Sequence, residues 1–111
     1  RGSHAALMLD AALNPLSISE DVGRHNALDK AIGRLFMTGR LTDAVLCVLS
    51  SRISYEMVMK GARAGVAVIA GVSAPTSFAV KLARGKGITL VGFLRNGRFN
   101  VYSGDWRINI T

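Results

Sequence analysis

The chain has 111 residues, half of them hydrophobic, and carries 14 Lys and Arg against 7 Asp and Glu for a formal net charge of +7. That length is one domain with a modest core. A mean hydropathy of +0.31 is high for so small a domain and implies a buried sheet, a subunit interface or a missing partner domain. The apolar runs are strand-sized, which excludes a membrane-spanning helix, and no secretory signal is visible. The lone cysteine, Cys47, excludes an internal disulfide and favours a reducing, cytoplasmic setting. The basic residues are scattered, so the field favours an anionic partner without naming it.

Arg1 to His4 reads either as a tag remnant or as native sequence leading into an apolar run. The abrupt start at a strand suggests a piece of a longer protein. Ala5 to Leu9 and Leu16 to Ser19 flank a turn at Asn14–Pro15 and predict a hairpin. A first helix follows from about Asn26, a plausible N-cap, with Leu28, Ile32, Leu35 and Phe36 on one face and Gly39 at its end. Ala44 to Leu49 is continuously apolar, as a strand buried on both faces should be. A second helix spans about Ser54 to Ala64 with Tyr55, Val58, Met59 and Ala62 inward. Val66 to Val72 is the next strand. A third helix starts near Pro75, buries Phe78 and Leu82, and ends in Gly85–Lys86–Gly87. Ile88 to Phe93 is a further strand, and Asn96–Gly97 turns it into Phe99 to Tyr102. The pattern predicts an α/β fold: a three-layer α/β/α sandwich on a mixed, mainly parallel sheet with antiparallel hairpins at its edges.

Ligands of open α/β sheets bind beyond the carboxyl ends of the parallel strands. Here those ends hold Ser51 and Arg52, then Ser73, Thr76 and Ser77, then Phe93, Leu94, Arg95, Asn96, Gly97 and Arg98. Helix amino termini present free N–H groups at the first two, a setting suited to phosphate. The junction from Glu20 to Lys30 adds Arg24, His25 and Asn26. Each group has a second reading: the hydroxyls as helix caps, Arg95 and Arg98 as solvated turn residues, His25 as a structural histidine. Glu20 and Asp21 read as acid/base groups, as residues orienting Arg24 or His25, or as caps of the first helix. Mid-strand Cys47 reads as an inert buried thiol.

Four ordered motifs carry a resemblance to a known family. They are Glu20-Asp21-Val22-Gly23-Arg24-His25-Asn26-Ala27-Leu28-Asp29-Lys30, Ser51 through Val58, Ala70 through Ser77, and Gly92–Phe93 with Gly97 through Tyr102. Together with His4–Ala5–Ala6 they resemble the formate dehydrogenase accessory protein family, FdhD/NarQ, from about His4 to Tyr102. The resemblance implies a cytidine-deaminase-like fold and a role in sulfur transfer. A cysteine desulfurase would supply persulfide sulfur through a mobile Cys-x-x-Cys loop to the molybdenum cofactor, bis-molybdopterin guanine dinucleotide, destined for formate dehydrogenase. It also implies guanine-nucleotide binding near Phe93 to Arg98.

This chain has no Cys-x-x-Cys and no His-x-Glu with Pro-Cys-x-x-Cys, so neither sulfur carriage by its own cysteine nor a zinc site is expected. The expectation is the carboxy-terminal, cofactor-binding half of a homodimeric sulfurtransferase. The alternative is a non-catalytic anion-binding module for nucleotide or nucleic acid. Aromatic content of 6% and scattered charge rank nucleic acid second.

Overall fold

The computed structural model describes residues 3–108. Strands β1 (His4–Leu9) and β2 (Pro15–Asp21) form the first hairpin. Its turn is held by the Asp10 carboxylate, which accepts from the amides of Ala12 (3.0 Å) and Asn14 (2.8 Å). Helix α1 (Arg24–Met37), β3 (Leu46–Leu49), α2 (Tyr55–Ala64), β4 (Val68–Gly71) and α3 (Ser77–Lys86) follow. β5 (Thr89–Arg95) and β6 (Arg98–Ser103) form a second hairpin, followed by a 3-10 turn at Asp105–Arg107. The two-residue turn between them has Asn96 at φ 53° and Gly97 at φ 75°, the paired left-handed geometry that Asn-Gly accommodates. No helix among the described residues is long and apolar enough to cross a membrane.

One six-stranded sheet results, ordered β2-β1-β3-β4-β5-β6. β3, β4 and β5 are parallel neighbours, as the apolar runs predict. The sheet is mixed, but parallel pairing does not dominate: β1–β2, β1–β3 and β5–β6 are antiparallel. Each edge hairpin adds an antiparallel pair, and β1 enters beside β3 in the opposite sense.

The layering also differs from the expected sandwich. Cross-strand register lines up Met8, Cys47, Ile69 and Leu90 on one face. The core that these four join also holds Ala27, Leu28, Ala31 and Leu35 of α1, Met57 and Val58 of α2, and Ala79 and Ala83 of α3. All three helices therefore pack on the same face, and among the described residues there are two layers. The cause is topological. The β2-α1-β3, β3-α2-β4 and β4-α3-β5 crossovers all advance in one direction across the sheet, and crossovers of one hand then put their helices on one side.

Small residues allow close approach where helix meets sheet: a Cβ added at Gly61 of α2 would sit 2.7 Å from Ile69 Cδ1. Larger apolar residues expected inside lie outside: Phe36 is 74% exposed, Phe78 69% and Tyr55 43%. Ala79 and Ala83 take the inward positions of α3 instead, one residue along from Phe78 and Leu82. α1 begins at Arg24 after Gly23, two residues before the expected start, so Asn26 lies within its first turn and is not its N-cap.

Candidate functional site

β2, β3, β4 and β5 point the same way, since β1 is antiparallel to both β2 and β3. Their carboxyl ends, and the amino ends of the three helices, therefore share one edge of the sheet. Short bonds lace the segments of that edge together. Ala5 N donates to Ser50 Oγ (2.7 Å). Thr76 N donates to Ile53 O (3.0 Å) and Phe93 N to Ser73 O (3.3 Å). Ile53 and Pro75 also form a parallel bridge.

At the β2–α1 junction, Asp21 Oδ1 accepts from Gly23 N (3.0 Å) and its other oxygen meets Lys30 Nζ at 2.7 Å. The Gly23 amide first, and then Lys30, hold this carboxyl down at about 2. The acid is thus committed to shaping the junction, which answers the open reading of Asp21 in favour of structure. Lys30, not Arg24 or His25, is its partner. Among the described residues α1 has no side-chain cap and no acid in its first turn, so its leading N–H groups lack a side-chain acceptor beside exposed Arg24 and Asn26 and half-buried His25.

The other two helix starts are capped. Ser54 Oγ accepts from Met57 N (3.4 Å) and Thr76 Oγ1 from Ala79 N (3.1 Å). Ser51 is buried, its hydroxyl turned to Arg52 O (3.2 Å) and Met57 Sδ (3.9 Å). Ser73, Thr76 and Ser77 follow β4 along the edge; only Ser77 among them is exposed. The Arg52 side chain is exposed and has no carboxylate partner among the described residues.

An open groove of about 1110 Å³ is built on the second hairpin and lined by Phe93, Arg95, Gly97, Arg98 and Phe99 through Tyr102. The β5–β6 register breaks between Gly92 and Arg95. At that break Phe93 takes φ 55°, a left-handed conformation that costs a phenylalanine on the order of 1–2 kcal/mol. The bulge turns Phe93 out, 44% exposed, and Phe99 stands 39% exposed in the same groove. Arg95 and Arg98 face each other across the turn and have no carboxylate partner among the described residues. Two aromatic faces and two free guanidinium groups suit a flat heterocycle carrying phosphate.

Of the residues picked out from sequence, Phe93, Arg95, Gly97 and Arg98 line this groove, and Leu94 and Asn96 belong to the same hairpin. Arg24, His25, Asn26, Ser51, Arg52, Ser73, Thr76 and Ser77 lie along the same edge but do not line it. Sequence reasoning missed Phe99, Asn100, Val101 and Tyr102 as a wall. The Asn96–Gly97 turn held the signal, because a two-residue hairpin loop folds the next strand back over the first. It also missed Ser54 as the α2 cap. Cys47 is 1% exposed on β3, and burial pushes its thiol up to about 12.

Comparison with known proteins places this arrangement. The sequence profile described as the FdhD/NarQ family matches residues 1–109. A protein named "Sulfur carrier protein FdhD" from Sulfolobus acidocaldarius is 50% identical over 111 residues, covering 98% of this chain and 44% of that protein. One of the same name from Anaeromyxobacter sp. (strain K) is 45% identical over 117 residues, covering 99% of this chain and 41% of that one. A crystal structure of a protein assigned as a formate dehydrogenase accessory protein from Desulfotalea psychrophila superposes with a TM-score of 0.88 at 31% identity, over 97% of this chain and 46% of that chain. The chain spans less than half the length of each of these relatives. With the match running almost end to end and identity near one half, the chain belongs to the FdhD/NarQ family.

Proposed function

We propose that this chain is the cargo-binding part of a sulfur carrier that serves formate dehydrogenase, and that its groove holds a guanine nucleotide arm of bis-molybdopterin guanine dinucleotide. The observation that carries the reading is the pairing of Arg95 and Arg98, which have no carboxylate partner among the described residues, with the exposed rings of Phe93 and Phe99 in one groove. The guanidinium groups match pyrophosphate oxygens by charge and fork geometry, and the rings offer faces for a purine. The N–H groups at the start of α1, with Arg24 and His25, supply further anion contacts along the same edge. The cofactor is cargo, and no residue here bonds to it covalently. Sulfur would come from a cysteine desulfurase through cysteines outside this chain, since Cys47 is buried and protonated. The matched relatives, named as sulfur carriers, support the sulfur-carrying role. A homodimer in the cytoplasm would let two such grooves take the two nucleotide arms.

Calorimetric titration with GDP tests the reading. Saturable binding that Arg95→Ala with Arg98→Ala weakens supports it. Equal affinity for GDP, ATP and short DNA would instead favour a general anion-binding module, and no binding at all would remove the groove from consideration.

A further inference from the structure

The second face of the sheet carries no helix among the described residues. Cross-strand register lines up Ile18, Leu7, Val48, Ala70 and Val91 in one row across five strands, ending beside Val101 of β6, which lines the groove. Beside it, Leu46 and Val68 pair in a parallel row with Leu9. No residue of either row is charged. Leu9, Ala70 and Val91 are buried yet lie outside the helix-side core, and Ile18 is 57% exposed. A parallel β3-β4-β5 centre that is apolar on both faces is the pattern of strands covered on both sides.

We propose that this face is an intramolecular docking surface, covered by an apolar layer from the part of the longer chain that relatives carry beyond the matched region. Three observations select that occupant. More than half of each relative lies outside the match, so the length needed is available. The covering has already begun at one corner, where the segment after β6 folds over Thr89. Gly104 O accepts from Thr89 Oγ1 (2.6 Å), Arg107 Nη1 donates to Gly87 O (2.6 Å), and Thr89 is fully buried. The rows also lack the cations that a nucleic acid or an acidic partner would need. Burial of apolar area then joins the two parts, and with them the groove-bearing hairpin to whatever carries sulfur. The inference rests on the fold and the relatives, not on the ligand proposed for the groove.

Thiol accessibility tests it. Ile18→Cys and Val48→Cys are made in the 111-residue chain and in a chimera in which the chain replaces the matched region of the full-length Sulfolobus acidocaldarius relative. Glu56→Cys on exposed α2 is the control, and unreactive Cys47 reports that each protein is folded. Maleimide should label positions 18 and 48 at least tenfold more slowly in the chimera, with position 56 unchanged. Equal labelling in both proteins would overturn the proposal. So would protection within the 111-residue chain that grows with its concentration, which would assign the face to a second copy. Should the chimera not fold, the intact Sulfolobus relative serves: it should bind far less of a hydrophobic dye than the 111-residue chain, and equal dye binding overturns the proposal.

Discussion

The ring of Tyr102 lies where a side chain on Gly92 would be: a Cβ added there would sit 2.9 Å from Tyr102 Cε2. The same atom would meet Pro75 Cδ at 3.0 Å and the Ser73 carbonyl oxygen at 3.1 Å. Gly92 therefore joins the groove-bearing hairpin to the loop ahead of α3. The ring could swing, but the carbonyl is backbone and cannot yield cheaply. Gly92→Ala is expected to cost about 1–3 kcal/mol of stability, in the range of overpacking, and to weaken GDP binding as the groove wall shifts. Chemical denaturation together with calorimetry checks both effects. A variant of unchanged stability would show that the hairpin and the loop are not tightly joined.

Arg95→Ala with Arg98→Ala should weaken GDP binding with little effect on folding, since both side chains are exposed and unpaired among the described residues. Charge-assisted contacts contribute about 1.5–3 kcal/mol each, or roughly tenfold or more in affinity per arginine. Arg24→Ala, on the same edge but outside the groove, should have a smaller effect. An equal loss from Arg24→Ala would move the site toward the α1 amino terminus.

Cys47 should take no persulfide from a cysteine desulfurase and resist alkylation until the chain unfolds. Its thiol stands at about 12 through burial, so almost none is thiolate at neutral pH. Mass spectrometry after incubation with desulfurase and cysteine reads the first, and a thiol assay with and without denaturant the second. A native-state adduct on Cys47 would make it a sulfur-carrying residue and overturn the division of labour proposed above.

Asp21 gives a signed pH dependence. Its folded pKa, about 2, lies below the ordinary 3.8, so the ionised form is favoured by folding. The stabilisation is present in full above the ordinary value and disappears as pH falls through about 2. Asp21→Asn should therefore lower the melting temperature at pH 7 and converge with the parent chain in strong acid. A gap that stays constant down to pH 2 would mean that the amide differs for a reason other than charge.

Thr76→Ala removes the acceptor of the Ala79 amide at the start of α3. The cost should be about 1 kcal/mol, read from denaturation midpoints. Ser77→Ala, one residue on and exposed, should be near neutral, which separates the capping residue from its neighbour.

Much of this protein was legible in its sequence. The runs from Ala44 to Leu49, Val66 to Val72 and Ile88 to Phe93 marked three strands, and Asn96–Gly97 marked a tight turn, because each rests on local chemistry. The motifs between Glu20 and Tyr102 likewise carried the family. Tertiary structure decided what depends on direction and register. Whether Phe78 or Ala79 faces the sheet turns on where α3 starts, a one-residue choice made by the Thr76 cap. That the helices share one face follows from the strand order, which no local pattern encodes. The groove exists because a broken register turns Phe93 outward against Phe99, and strand pairing sets that register over the length of the hairpin. The apolar face that carries no helix among the described residues has the same origin: alternation along each strand is written in sequence, but only the sheet aligns such residues into one surface.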